Sequence, residues 1–462
     1  MTTLEHDATD RDLTSADLTP ADLAPADLTR VVEHRQLRIA TAGSVDDGKS
    51  TLIGRLLHDT KTIFEDQLDA VVRASRRYGD HEVNLALLTD GLRAEREQGI
   101  TIDVAYRYFA TPARSYVLAD TPGHVQYTRN MVTGASVADV AIVLVDARHG
   151  VVEQTRRHLG VASLLGVRHV VVAVNKMDLV DWNRDAFARV VTDVCALVDE
   201  LGAVGGREGG AVRLHPIPVS ALLGDNVVDA SANTPWYDGP PLLDLLESID
   251  LDDAGDDDRA AAAVGARLSV QWVIRSGSDY RGCAGLLAGG PLSVGDAIAV
   301  LPSGLTSIVS GITRGGDAVD HALPGDAIAV SLVDHVDVGR GDVLAVFDSV
   351  LPPAATTEIV ADVCWMIDEP VHVGSRFVAK HLARQVTATV TGIVHRLDPD
   401  TLAPVATESL ALNDLGRLRL VFAEPIVADR YVDEPSGGRL VLVAPVTNAT
   451  AGALMVREII VG

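Results

Sequence analysis

The stretch GSVDDGKST, Gly43 to Thr51, follows the apolar run LRIATA and leads into STLIGRLLHD. Gly43, Gly48, Lys49 and Ser50 fit the spacing G-x-x-x-x-G-K-[ST] between a strand-like run and a helix-like one. Glycines so placed let backbone N–H groups turn inward around phosphate oxygens, and the helix N-terminus adds its partial positive charge. Ser44, Val45, Asp46 and Asp47 complete the loop and Thr51 continues it into the helix, so Gly43–Thr51 is the candidate phosphate cradle. Lys49 is placed to neutralise β- and γ-phosphates, and the Ser50 hydroxyl to ligate Mg2+.

Working outward, the runs SYVLAD, DVAIVLVDA, HVVVAVNK and RLHPIPVSA alternate with helical segments over residues 36–250. Continuous Val/Ile/Leu runs of this kind are buried parallel strands, so the spacing predicts an α/β domain with a mainly parallel sheet. DLDDAGDDD then gives an acidic linker, 251–262, and the texture changes to short Val/Ile runs broken by Gly-Asp and Pro-Gly turns. That pattern predicts two small antiparallel β-barrels, 263–348 and 355–462. Ahead of the α/β domain, ADLTPADLAPADLTR lies in an acidic, Pro-punctuated stretch, 1–35, expected to be a disordered tail or a short docking segment.

Three further elements sit at strand ends, where an open α/β sheet places its ligand. DTPGH supplies Asp120, able to hold Mg2+ through water, and Gly123, whose N–H can reach a γ-phosphate; alone it reads equally well as a Pro-Gly turn. NKMD supplies Asn175, Lys176 and Asp178, and the Asp178 carboxylate can accept both hydrogens of the N1–H and 2-amino edge of guanine. Adenine lacks that edge and would leave a carboxylate unpaired, which is how strong discrimination arises. SAL, Ser220, Ala221 and Leu222, can offer a backbone N–H to the guanine O6. Of the 39 basic residues only four are lysine, at 49, 61, 176 and 380, and two of the four fall in these motifs. Chance would place both there about one time in a hundred, so a compact ammonium is needed at each. The ligand these four elements predict is GTP, or GDP after hydrolysis.

The net charge of −25, with no basic block, argues against nucleic acid as the main partner, since affinity there comes from neutralising phosphates. Cys195, Cys283 and Cys364 form no CxxC pair and read as reduced core thiols of a cytoplasmic protein. The fourteen histidines include no metal-ligand spacing. No apolar run is long enough for a bilayer, and the first residues are acidic where a signal peptide is basic, so no membrane role is expected.

On these motifs the chain resembles the translation-factor class of GTPases, related to elongation factors Tu and 1-alpha. The resemblance implies that EQGITIDVAY is a switch segment with Thr101 as a second Mg2+ ligand, that His124 orients the attacking water, and that two barrels follow the GTPase domain. Within that class, GSVDDGKSTLIGRLLHD, DGLRAEREQGITIDVAYRYF, QYTRNMVTGAS, VNKMDLVDW, TPWYDGPPLLDLLESI, LALNDLGRLRL and TNATAGALMV look like the GTPase subunit of bacterial sulfate adenylyltransferase, or ATP sulfurylase. That resemblance covers about 36–462 and implies a smaller ATP-pyrophosphatase-type catalytic partner, GTP hydrolysis driving adenylylsulfate formation, and switch segments at 91–104 and 120–135. Two stretches depart from the family pattern: Val125 stands where Glu is expected, and YVDEPSGGRL, 431–440, is a weak version of its segment. No second G-x-x-x-x-G-K motif occurs, so a fused adenylylsulfate kinase is not expected. The alternatives are a translation-type GTPase delivering an aminoacylated RNA and a plain regulatory GTPase.

Overall fold

The computed structural model describes residues 36–61, 85, 103–124, 128–205, 212–251, 264–276, 280–347, 349–398 and 401–461. The tail 1–35, Thr101, most of the 91–104 switch, Val125 and nearly all of the 251–262 linker lie outside the described residues. In chain order the first domain runs β1 (Leu37–Ala42), α1 (Lys49–Asp59), β2 (Ala105–Ala110), β3 (Ser115–Asp120), α2 (Thr128–Ala135), β4 (Val140–Asp146), α3 (Glu153–Leu164), β5 (His169–Asn175), α4 (Arg184–Gly205), β6 (Arg213–Pro218) and α5 (Leu242–Ser248).

The strands form one six-stranded sheet in the order β2-β3-β1-β4-β5-β6. All neighbours are parallel except β2, which runs antiparallel to β3 along the edge. Every residue of β4 and β5 is buried, as a sheet covered on both faces requires. Their side chains alternate between two cores. Ala141, Val143 and Val145 with Val170, Val172 and Val174 meet α2, α3 and α4, whereas Ile142, Leu144, Val171 and Ala173 meet α1 and α5. Because the strands are in register, with Thr41 opposite Asp120 and Asp146 opposite Asn175, their carboxyl ends form one rim that carries every loop of interest.

The two β segments each close into a barrel of six antiparallel strands. In the first, the order is Ala297–Leu301, Val343–Val346, Ala266–Ser276, Tyr280–Gly289, Ala327–Leu332 and Leu305–Arg314, the last pairing back to the first. In the second it is Arg376–His381, Arg439–Val443, Thr450–Ile460, Ala354–Trp365, Leu415–Ala428 and Arg384–Leu397, closed in the same way. Closure removes the free strand edges that a small open sheet would expose.

The barrels are tied to each other and to the first domain. On the strand Ala354–Trp365, Ile359, Ala361, Val363 and Trp365 point into the barrel, while Cys364 and, just beyond, Met366 join Met131, Val132 and Leu165 in the first domain's core. The Tyr431 hydroxyl donates to the Leu165 carbonyl at 2.5 Å. The weakly matching segment 431–440 therefore starts at a domain interface. Arg267, at the start of the first barrel, is 4% exposed and reaches Asp429 of the second at 3.1 Å. Cys283 and Cys364 are buried, but Cys195 is exposed, which corrects the expectation of three core thiols. It faces outward on the polar side of α4, where Val190, Val194, Leu197 and Leu201 supply the buried stripe. Among the described residues no helix is long and apolar enough to cross a membrane.

Candidate nucleotide site

Between Ala42 and Lys49 the chain must reverse from a strand into a helix, and two left-handed residues, Asp46 at φ 70° and Gly48 at φ 91°, make the turn. The Ser44 N–H donates to the Asp47 carboxylate at 2.7 Å, bracing the loop from within. At Gly48 a Cβ would lie 2.5 Å from the Asn175 side-chain nitrogen, so the residue is glycine for space as well as for φ. Across the rim, a Cβ on Gly123 would meet the Gly43 carbonyl oxygen at 2.3 Å and the Lys49 ammonium at 2.9 Å. The DTPGH backbone thus packs directly on the phosphate loop, beside the Lys49 ammonium.

Lys49 is buried, and that burial lowers its pKa against the opposing pull of Asp120, Asp47 and Asp46. A cation held with so little water, facing the phosphate loop, is one that an anionic ligand would complement. Burial raises the Asp47 pKa, while its hydrogen bond from Ser44 pulls the other way. Neither Asp47's brace nor the Asp46 carbonyl described below is visible in the motif pattern, which constrains only the glycines, the lysine and the serine.

The base-side loop is strapped to the same place. Asn175, 2% exposed at the end of β5, donates to the Asp47 carbonyl at 2.7 Å and accepts from the Ala221 N–H at 2.9 Å. One side chain therefore joins three of the four sequence elements. Lys176 is left-handed at φ 60°, and its ammonium donates to the Asp46 carbonyl and lies 3.0 Å from Asp146. Met177 is fully buried and anchors the turn that presents Asp178. The Asp178 Oδ1 is a buried acceptor with no hydrogen-bond partner among the described residues. Buried acceptors are almost always satisfied, so this one calls for a donor from outside the chain, as a guanine edge would supply.

Within SAL the Ser220 N–H donates to the Asp225 carbonyl and the Ala221 N–H to Asn175, which leaves the Leu222 N–H outside these two bonds. Arg55, on α1, holds this segment by donating to the Ala221 and Leu222 carbonyls.

Asp120 closes β3 with 1% exposure, and the neighbouring Thr121 hydroxyl donates to the Thr41 carbonyl at 2.5 Å, fixing the turn. Ser50, in the first turn of α1, and Asp120, beside Lys49, are the described members of the expected Mg2+ set. His124 is partly buried at the end of the same turn, four residues before α2. Among the described residues no cluster of three or more His, Cys, Asp or Glu forms a separate metal site.

Residues 34–253 match the family described as the elongation factor Tu GTP binding domain, and residues 358–457 match the GTP-eEF1A C-terminal domain-like family. Among solved structures, sup35 complexed with GDP is 22% identical, covering 96% of this chain and 98% of that one with a TM-score of 0.41. Sup35 complexed with GMPPNP is 23% identical, covering 94% and 97%, with a TM-score of 0.40.

Proposed function

We propose that this chain, whose residues 34–253 are a GTP-binding domain of the elongation factor Tu type, is the GTP-hydrolysing subunit of a sulfate adenylyltransferase. In this reading Lys49 and the loop N–H groups bind the phosphates, Asp178 and Leu222 read the base, and Asn175 with Lys176 hold the two loops in register. Ser50 and Asp120, with Thr101 outside the described residues, would hold Mg2+, which supplies charge neutralisation on the phosphates. His124 positions the attacking water. The observation that carries the GTP reading is the buried, unsatisfied Asp178 Oδ1 on a loop tied by Asn175 to the phosphate cradle.

Adenylylsulfate contains a high-energy sulfate–phosphate anhydride, so its formation from ATP and sulfate lies uphill and needs a drive. A nucleotide can shift a partner's equilibrium only through differential affinity for its states. The chain has a route for that. Helix α2 begins four residues after His124, and its Met131, Val132 and Ala135 share a core with Cys364 and Met366 of the second barrel. Support for sulfate adenylyltransferase in particular comes from the stretches quoted above, which extend beyond nucleotide contacts. Two of them meet, with the Trp236 indole donating to the Trp182 carbonyl at 3.1 Å and stacking at a tilt on Phe187. The partner is a smaller ATP-pyrophosphatase-type subunit, and the site of action is the cytoplasm.

A translation-type GTPase delivering an aminoacylated RNA is the second reading, favoured by the two elongation-factor families that match. Co-purification with the catalytic subunit, followed by an adenylylsulfate assay with and without GTP, separates the two. GTP-dependent product supports the first reading; GTP-dependent binding of aminoacylated RNA with no effect on adenylylsulfate supports the second.

A further inference from the structure

We infer that Asp146 is a positioning residue of the nucleotide site, acting through Lys176 to keep the phosphate loop closed and so to slow nucleotide release. Asp146 ends β4 one strand away from the phosphate loop, belongs to none of the recognised motifs, and is 2% exposed. It stands in register beside Asn175, and the turn after it is pinned by His149 and Gly150 N–H groups donating to its carbonyl at 3.1 and 2.9 Å. Its carboxylate is fully engaged. Oδ1 accepts from the Arg148 N–H at 2.9 Å and Nε at 3.0 Å, and Oδ2 accepts from Arg148 Nη2 at 2.7 Å and lies 3.0 Å from the Lys176 ammonium. Burial pushes its pKa up, but the Arg148 hydrogen bonds and Lys176 outweigh burial and hold it far below the usual carboxylate range. It is an anion at neutral pH.

The consequence lies with Lys176. Its ammonium sits between this fixed anion and the carbonyl of Asp46, a left-handed residue in the middle of the phosphate loop. Arg148, Asp146, Lys176 and Asp46 thus form a chain of charge-assisted contacts that ends on the loop backbone. Such contacts are about twice as strong as neutral ones. Without the Asp146 charge, the ammonium gains more from turning to water than from holding one carbonyl, and the Asp46 turn loses its second strap. The Asn175 strap would remain. This inference rests on Gly43–Thr51 and NKMD being the nucleotide site.

The test is a kinetic double-mutant cycle on the full chain, with a fluorescent GDP analogue bound and chased by excess GDP. Asp146→Asn and Lys176→Met should each speed release about ten- to a hundredfold, the scale of one charge-assisted hydrogen bond. The double variant should release no faster than the quicker single one. Arg148→Met, on an exposed side chain, should speed release by a smaller factor, and should add nothing in the Asp146→Asn background. A structural role for Asp146 would instead give multiplicative effects, and release within twofold of wild type in Asp146→Asn would overturn the inference outright. The underlying site is checked separately by wild-type binding of the GDP analogue and by exchange of guanine for xanthine preference in Asp178→Asn. Failure there overturns the site, whereas failure of the cycle alone overturns only the role of Asp146.

Discussion

Replacing Asn175 with Ala removes one side chain that satisfies two buried backbone groups, the Asp47 carbonyl at 2.7 Å and the Ala221 N–H at 2.9 Å. Asp47 and Ala221 are 7% and 1% exposed, so water does not freely replace the lost partners. Each unsatisfied group costs about 1–3 kcal/mol, and the variant should therefore lose about 2–6 kcal/mol. Part of that loss falls on the stability of the nucleotide-free domain and part on affinity, where every 1.4 kcal/mol is about tenfold. Urea unfolding followed by circular dichroism measures the first, and calorimetric titration with GDP the second. Asn175→Asp provides the check on mechanism. It keeps the acceptor for Ala221 but sets an anionic oxygen against the Asp47 carbonyl, so it should be at least as harmful as Ala. A combined loss below about 0.5 kcal/mol, the range of inconsequential surface changes, would refute the strap, as would an Asp variant that outperforms Ala.

Lys49→Ala should weaken GTP and GDP binding alike and severely, and near-normal affinity in the folded variant would remove Gly43–Thr51 from the site. Asp178→Asn turns a double acceptor into a group that also donates, so binding should shift from guanosine towards xanthosine triphosphate, and an unchanged preference would show that NKMD does not read the base. His158, 4% exposed on α3, is held neutral, its pKa pushed down to about 3 by burial with help from Lys49 and Arg157. Below its unfolded value of 6.5 the unfolded chain binds a proton that the folded chain refuses, so stability falls as pH drops from 6.5 towards 3. Between pH 7.5 and 5 this group should account for about 2 kcal/mol of the loss, at about 1.4 kcal/mol per unit below 6.5. His158→Gln should show that much less loss over the same interval in urea unfolding, and equal losses in both proteins would contradict the burial argument.

The parts of this protein legible in its sequence are those set by local chemistry. A glycine-rich loop between a strand and a helix, a carboxylate after NK, and Gly-Asp turns between Val/Ile runs each carry their reason within a few residues. The structure then brings the phosphate loop, NKMD and SAL together, because parallel strands in register end on one rim. The illegible parts are pairings across long separations. Asp146 gains its role only because β4 lies beside β5 and Lys176 turns left-handed towards Asp46. Arg267 with Asp429, and Tyr431 with Leu165, join domains through side-chain pairings that no periodicity announces. Even inside SAL the sequence could not say which N–H is engaged, since that depends on Asn175 reaching over from β5. Cys195 is illegible for a simpler reason: a thiol is buried on average, but α4 turns this one to solvent.

The most direct test of the proposed function is a pair of time courses, GDP and adenylylsulfate, for the chain reconstituted with the proposed catalytic subunit, as wild type and as His124→Ala. The isolated chain should hydrolyse GTP slowly and make no adenylylsulfate; with the partner, GTP turnover should rise and adenylylsulfate should exceed its GTP-free equilibrium level. His124→Ala should still bind GTP, hydrolyse it about 10²–10⁴-fold more slowly if the imidazole positions or polarises the water, and lose the excess product in proportion. A variant that no longer hydrolyses GTP yet reaches the same excess of adenylylsulfate would contradict the account, because hydrolysis would then not be the source of the drive.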